Sequence, residues 1–336
     1  MADIHRIVLP TPFPVGPVNA YVLLPPARSG GRVALVDPGP AYPPAREALE
    51  KGLRELGVGL GDIEAVLLTH PHVDHYGLAR EVAAASGASV VAHVEAVPHL
   101  GTGLRAYTPE ERTALEGLLA RAGAPRGFAR SLFGQWAAAD ALAAPVRVTE
   151  AVADGDTVEG GGVLWRVIAT PGHSPGAVCY YDAERRRLVS GDHLLPDISS
   201  NAIMDFQAAP GDDGPVLVRQ KSLLIYIESL RKVEGLDVAE VLPGHGEPFA
   251  DHRALIARRM RHYDSRKAAI ASVLGRLGAS PAFRVATTFF PEQTEPMGQF
   301  LALSEVLGHL DLLEAEGRVR LTPTRDLDLY CLENGG

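Results

Sequence analysis

The stretch Thr69-His70-Pro71-His72-Val73-Asp74-His75 decides how this chain is read. It places three imidazoles and a carboxylate within six consecutive positions, directly after the apolar run Ala65-Val66-Leu67-Leu68. In extended backbone, residues i and i+2 share a side, so His70 and His72 can converge on one ion. Asp74 and His75 follow where the chain should turn into a helix, and so can face a second ion. Imidazole suits zinc, iron and nickel, and a carboxylate adds a hard, charge-neutralising ligand. A single histidine in a polar loop needs no function; this set at this spacing points to metal.

Outward from that stretch, other short apolar runs also end in polar or ligand-type residues. Residues 33–36 lead into Asp37-Pro38-Gly39, and 89–92 into His93. Residues 164–169 lead into Thr170-Pro171-Gly172-His173, 188–190 into Gly191-Asp192, and 241–243 into Gly244-His245. Functional residues on loops just past strands are the usual arrangement of α/β proteins. Between the runs, residues 44–56 carry Leu49, Leu53 and Leu56 at helical spacing, and 77–86 reads as a short helix. Residues 177–181 and 187–190 form an expected hairpin through Asp182-Ala183-Glu184-Arg185.

Two insertions interrupt the rhythm. Residues 95–139 are helical in pattern, renewed at Thr108-Pro109-Glu110-Glu111, which combines an N-cap, a proline at N1 and a glutamate at N3. Residues 195–233 begin as loop and become helical from about 216 to 232. Long insertions beside a strand-end site usually shape a pocket or lid.

After Pro248 the pattern changes. Asp251 is placed to cap a long helix over 252–277, and 284–290 is a short strand-like or helical piece. Residues 299–317 set Phe300, Leu303, Leu307, Leu310 and Leu313 on one helical face. Two β-like runs, 319–321 and 329–332, flank a turn beginning at Thr322-Pro323-Thr324. Helices followed by a two-stranded wing describe a winged helix. The expected domains are therefore a catalytic domain over 1–250, with the two insertions, and a small winged-helix domain over 251–336.

Composition excludes several classes. With 336 residues, 46% hydrophobic and 22% charged, the chain suits one large globular domain plus a small one, or two of ordinary size. The formal net charge of -9 opposes nucleic-acid binding overall. The two cysteines, Cys179 and Cys331, sit in no CxxC pattern, so a reducing cytosol fits and Cys179 reads as a buried, inert thiol. The N-terminus lacks the charged and apolar regions of a signal peptide. No run approaches the roughly 20 apolar residues that span a bilayer, so a cytoplasmic protein without membrane contact is expected.

Combining the strand-end residues gives seven ligands: His70, His72 and His173 for one ion, Asp74, His75 and His245 for another, and Asp192 bridging both. Glycines beside each ligand permit the tight turns that aim side chains inward. This ordered set resembles the metallo-β-lactamase fold superfamily, over about residues 18–250. Asn19-Ala20-Tyr21 and Val36-Asp37-Pro38-Gly39 also look like that family's opening strands. The resemblance implies an αββα four-layer sandwich with the site at one edge of two sheets. It also implies that Asp37 orients ligands from behind, and that Asp74 orients the nucleophile or takes its proton.

The cofactor implied is a pair of divalent metal ions, zinc first, with iron or manganese as alternatives. Two ions about 3.5–4 Å apart can hold a bridging hydroxide that attacks a carbonyl or phosphorus. Histidine at position 72 differs from the flavodiiron branch, which resembles this set but has Glu there. The bridging Asp192 differs from true β-lactamases. A mononuclear iron persulfide dioxygenase shares much of the motif and stays open as a remote alternative. The remaining histidines carry lower expectations: His193 in a loop behind the site, His93 a packing residue, His99, His252, His262 and His309 on helices, and His5 terminal.

The tail resembles that of the lactamase-B-like protein 2 type, not the glutathione-binding tail of glyoxalase II. Arg253, Arg258, Arg259, Arg261, Arg266 and Lys267 form a basic patch facing only Asp264, whereas 299–317 carries Glu305, Asp311, Glu314 and Glu316 without Lys or Arg. A helix that reads nucleic acid should be basic or amide-rich. The expected activity is thus hydrolysis of an ester, thioester or lactone carbonyl in a small acyl substrate. An endoribonuclease is the alternative, and a nucleic-acid-binding regulator a remote one. The tail itself is expected to pack on the catalytic domain or form a homodimer interface.

Overall fold

The computed structural model describes residues 3–26, 32–102, 109–210 and 216–333. They form two compact units. The first comprises Met1–Ala106, Ala139–Ser200 and Ser229–Leu255; the second Tyr107–Ala138, Asn201–Glu228 and Ile256–Gly336.

The first unit is built on two sheets. One contains β1 (Asp3–Leu9), β2 (Val18–Leu24), β3 (Ala34–Val36), β4 (Ala65–Leu67), β5 (Ser89–His93) and β6 (Glu150–Val152), in that spatial order. Its first three strands are antiparallel and β3 to β6 are parallel. The connections carry α1 (Pro43–Glu55), α2 (Val73–Tyr76), α3 (Ala79–Ser86) and α4 (Val97–Thr102). The second sheet runs in the order β13 (Glu240–Pro243), β10 (Arg187–Gly191), β9 (Val178–Asp182), β8 (Val163–Ala169), β7 (Thr157–Gly160). The hairpin expected there is β9 and β10, with Asp182 accepting the backbone N–H of Glu184 and Arg185 to close the turn.

Alternation along β2 explains how the layers stack. Tyr21 and Leu23 point into a core shared with Trp165, Val167 and Tyr180 of the second sheet. Ala20 and Val22 point the other way, onto Leu49 and Leu53 of α1 and Val82 of α3. Trp165 is fully buried and its indole N–H donates to the Gly160 carbonyl at 3.0 Å, so the large ring carries no polar penalty. The parallel pairs β3/β4 and β10/β13 bring their C-terminal ends side by side. Asp37, the histidine stretch, Asp192 and His245 follow these strands directly.

The second unit contains α5 (Pro109–Arg121), α6 (Phe128–Ala139), the hairpin β11 (Phe206–Ala209) and β12 (Val216–Arg219), and the start of α7 (Ser222–Glu234). It continues with most of α8 (His252–Leu277), then β14 (Ser280–Pro281), α9 (Ala282–Phe289), α10 (Pro296–Ala315), β15 (Val319–Pro323) and β16 (Asp328–Leu332). β14, β16 and β15 form an antiparallel three-stranded sheet. The cap expected at Thr108 lies outside the described residues. Asp251 does cap α8, accepting the Ala254 N–H at 3.0 Å. The piece at 284–290, ambiguous in sequence, is helical as far as Phe289, and α10 begins at Pro296, earlier than its apolar spacing indicates.

The units do not follow a single cut near residue 250. Leu115, Leu119, Phe128, Leu132 and Met204 from the two insertions share one core with Ile270, Leu274, Phe283, Phe300 and Leu303 of the tail. The tail is too small to enclose these side chains alone, so the insertions complete its core. In the same unit Arg219 of β12 meets Asp311 of α10 through paired bonds of 2.6 and 2.8 Å, with the carboxylate 2% exposed. Among the described residues no helix is long and apolar enough to cross a membrane.

Truncation of Asp311 to Ala strands the Arg219 guanidinium and should cost about 3–5 kcal/mol. The apolar pair R219M/D311L should recover most of that loss. Urea unfolding of the three proteins checks both expectations.

Candidate metal centre

The histidine stretch leaves β4 in extended backbone and turns at His72, whose carbonyl accepts the N–H of His75 at 2.9 Å and of Tyr76 at 3.1 Å. That turn separates the stretch into two directions. His70 Nε2 and His173 Nε2 each lie 3.0 Å from His72 Nδ1. His75 points away, towards Asp192, Asp74 and His245. His70, His72 and His173 thus form one donor group and Asp74, His75 and His245 another, each with ligand atoms within 4.8 Å of one another.

Asp192 addresses both. Its Oδ2 lies 3.6 Å from His173 Nε2, while its Oδ1 lies 3.3 Å from His75 Nε2 and 3.7 Å from His245 Nε2. Asp74 Oδ2 lies 3.4 Å from His245 Nε2 and 4.0 Å from His75 Nε2. All seven side chains selected from sequence therefore converge. Asp37, His70 and His75 are also close enough to be a donor group. Asp37 is already engaged, however: it accepts Thr69 N–H at 2.8 Å, Thr69 Oγ1–H at 2.6 Å and His75 Nδ1–H at 2.9 Å.

These bonds settle which ring nitrogens face inward. An ionised carboxylate only accepts, so the Thr69 hydroxyl donates to Asp37 and must accept from His70 Nδ1–H at 2.9 Å. His70 Nε2 then carries its lone pair into the first group. The same logic leaves His75 Nε2 inward. His245 Nδ1 donates to the Pro17 carbonyl at 2.7 Å, and His173 Nδ1 meets Ser200 Oγ at 2.9 Å. His72 Nδ1 has at most one proton for the two nitrogens that face it, so the three rings cannot all be satisfied among themselves.

The second group shows the same deficit. His75 Nε2, His245 Nε2 and Asp192 Oδ1 are buried and make no hydrogen bond. Leaving such atoms without partners costs about 1–3 kcal/mol each, more when charged. Imidazole nitrogens and carboxylate oxygens facing one point are the donor set of a divalent transition ion. The residues present fit a metal in both groups.

Electrostatics separates the two groups. Burial, then the neighbouring His75 and His72 rings, hold His70 well below the ordinary histidine value; burial and His173 push His72 down to about 3. Burial opposes charge on His75 too, but Asp192 and Asp74 outweigh it and hold His75 well above its ordinary value. His245 is raised against burial by Asp74 and Asp192. Asp192 and Asp74 are correspondingly lowered: burial works against them and His75 prevails.

Sequence alone does not single out Thr69 or Ser200. Thr69 sits inside the diagnostic stretch, where a hydroxyl before a histidine was the available signal; Ser200 lies at the start of an insertion without a motif. Gly191, at φ 48°, must be glycine because a Cβ there would lie 2.5 Å from Thr69 Oγ1. His193 is buried beside Asp192 but joins neither donor group, and His93 accepts the Glu95 N–H at 3.3 Å as the cap of a short turn.

A family model described as "Metallo-beta-lactamase superfamily" matches residues 13–245. Among curated proteins, the "Probable metallo-hydrolase YqjP" of Bacillus subtilis is 35% identical over 321 residues, spanning 94% of this chain and 93% of that protein. A crystal structure of the metallo-beta-lactamase family protein TTHA1429 from Thermus thermophilus superposes with a TM-score of 0.79 at 28% identity, covering 98% of both chains. A beta-lactamase domain protein from Burkholderia ambifaria shares the fold, with a TM-score of 0.74 at 23% identity over 98% of this chain and 92% of that one.

Zinc uptake should distinguish the donor groups by their protons. Asp192 and Asp74 hold His75 well above its ordinary value against burial, so an ion taken up there competes with a proton, whereas burial holds His70 and His72 well below theirs. Calorimetric titration at pH 7 in buffers of different ionisation enthalpy should show more proton release for an ion at the His75 group than for one at the His70 group. Raising the pH through the His75 range should shrink that release.

Proposed function

Because the chain belongs to the metallo-β-lactamase superfamily, we propose that it is a two-metal hydrolase acting on an ester, thioester or lactone carbonyl. That it is a hydrolase follows from the family and its metallo-hydrolase relative. His70, His72 and His173 would hold one ion and Asp74, His75 and His245 the other, with Asp192 serving both. The observation that carries this reading is the posture of Asp192, one oxygen towards each donor group. The mixed nitrogen and oxygen donors favour zinc, with iron and manganese next.

Divalent ions at these positions would supply Lewis acidity, acidifying a water towards neutral pH and stabilising the oxyanion that develops on the substrate. The residues supply the rest. Asp74 stays ionised beside His75, so its carboxylate can orient the attacking water and take its proton. Water adds to the carbonyl carbon, the C–O or C–S bond breaks, and the proton returns to the departing alcohol or thiol. Asp37 and Thr69 keep His70 and His75 in one tautomer throughout, so no ring must reorient during turnover.

Two finer points of architecture belong to the same reading. The end of α7 supports a fourth, helical layer on the second sheet: Ser229 Oγ donates to the Pro171 carbonyl at 2.8 Å, and Leu230 and Val233 are fully buried. The order α8, β14, α9, α10, β15, β16 supports a winged helix over the tail.

Carbonyl chemistry is favoured over RNA cleavage by how the basic patch is used. Arg253 donates to the Glu234 and Leu236 carbonyls at 3.0 and 2.7 Å. Arg266 pairs with Glu305 at 3.1 Å and lies over the Phe289 and Phe290 rings; Lys267 pairs with Asp264 at 3.2 Å and also with Glu316. These three of the six cations are committed within the chain, and α10 contains no Lys or Arg.

Zinc-loaded protein assayed against acyl thioesters, lactones and single-stranded RNA should cleave a carbonyl substrate and leave RNA intact. Chelation should abolish activity and zinc should restore it. Exclusive RNA cleavage would overturn the carbonyl reading, and a single bound iron with oxygen uptake would overturn hydrolysis. Within the active panel, Asp74→Asn should lower kcat by about 10²–10⁴-fold, as loss of a general base does.

A further inference from the structure

We infer that Asn19 is the positioning residue for His245, and that it sets how tightly the Asp74, His75 and His245 group holds its ion. The inference rests on the two-ion reading above. It starts from a weakness in the loop. His245 lies between Gly244 and Gly246, the latter at φ 83°, so the backbone on either side has unusual freedom. A Cβ on Gly244 would lie 2.4 Å from Asp192 Oδ1 and 2.7 Å from His75 Cε1, so the loop cannot be stiffened by its own side chains there. Rigidity must come from outside.

It comes from the start of β2. Asn19 is 2% exposed and makes three hydrogen bonds to this loop. Its backbone N–H donates to the Gly244 carbonyl at 2.7 Å. Its side-chain amide donates to the Pro243 carbonyl at 2.9 Å and to the Gly246 carbonyl at 2.8 Å. Both amide hydrogens are used, one on each side of His245. Two residues earlier, the Pro17 carbonyl takes the proton of His245 Nδ1. One short segment thus fixes both the loop and the ring orientation.

Neighbours reinforce individual points of the grip. Tyr21 Oη donates to the Pro243 carbonyl at 2.8 Å, and Arg6 Nη1 to the Gly246 carbonyl at 3.1 Å. Each touches one carbonyl, whereas Asn19 spans the loop. His70 and His173 depend on Thr69 and Ser200 instead. Disturbing Asn19 should therefore weaken one ion and spare the other.

The test uses the full chain, zinc alone, equilibrium dialysis with elemental analysis, and chelator competition for stepwise affinities. Asn19→Asp keeps the shape but replaces the amide donors with acceptors facing two carbonyls. Asn19→Ser retains at most one donor and is the milder variant, which decides the matter should N19D fail to fold by circular dichroism. Wild type should bind two ions and H245A one. In N19D the ion that H245A abolishes should lose about 10–100-fold in affinity, the range for partners behind a ligand, while the ion that H245A retains stays within about twofold. N19S should fall between, and Tyr21→Phe should lose less than either. Wild-type affinity for both ions in N19D and N19S would overturn the inference, as would equal weakening of both with a lowered melting temperature. Two ions still bound in H245A would overturn the two-ion reading itself.

Discussion

The Asp37 carboxylate accepts from Thr69 N–H, Thr69 Oγ1–H and His75 Nδ1–H, and one ring of each donor group takes its orientation from it, His75 directly and His70 through Thr69. The parallel pairing of β3 with β4 makes this contact unavoidable, since it sets the end of one strand beside the end of the other. Asp37 reaches inward from a backbone at φ 49°, a left-handed conformation that costs a non-glycine residue energy. Its three hydrogen bonds offset that strain. Because a carboxylate only accepts, the direction of every proton behind it is set: Thr69 donates, His70 donates to Thr69, and Nε2 of both rings is the nitrogen left to bind an ion. One buried charge thereby imposes one orientation on two rings that point to different groups.

The same constraint explains the close packing around the loops. Gly191 and Gly244 are the points where the Asp192 and His245 loops pass nearest to Thr69, His75 and one another, and the Gly244 N–H donates to the Gly191 carbonyl at 2.8 Å. Small residues let four loops from two sheets meet, at the expense of backbone freedom that hydrogen bonds from β2 must restrain. Burial and the neighbouring rings lower His70, whereas Asp192 and Asp74 overcome burial and raise His75, although the ring centroids are 4.1 Å apart.

The second unit follows a different logic. Its core joins segments distant in sequence, and a deeply buried ion pair, Arg219 with Asp311, ties an insertion hairpin to the tail's most apolar helix. Three basic side chains of α8 that look available in one dimension, Arg253, Arg266 and Lys267, are used in three, by carbonyls, carboxylates and aromatic rings. A run of arginines records charge, and only packing records whether that charge faces solvent.

Much of this protein was determined by its sequence alone. Short apolar runs ending in ligand-type residues pointed to the α/β order, and the spacing from His70 to His75, with His173, Asp192 and His245, picked out the side chains that converge at the candidate centre, because strand and turn geometry are local. Three matters were decided only by tertiary structure. The insertions complete the tail's core, since a hydrophobic surface finds its partner by proximity and not by sequence order. Thr69, Ser200 and Asn19 acquire roles only when the backbone brings a carbonyl or imidazole within about 3 Å, the reach of a hydrogen bond. And the tautomers depend on a proton's direction along a chain of contacts that begins at Asp37, 32 residues before Thr69. Residue types carry the chemistry available; the folded arrangement decides which atom of each residue delivers it.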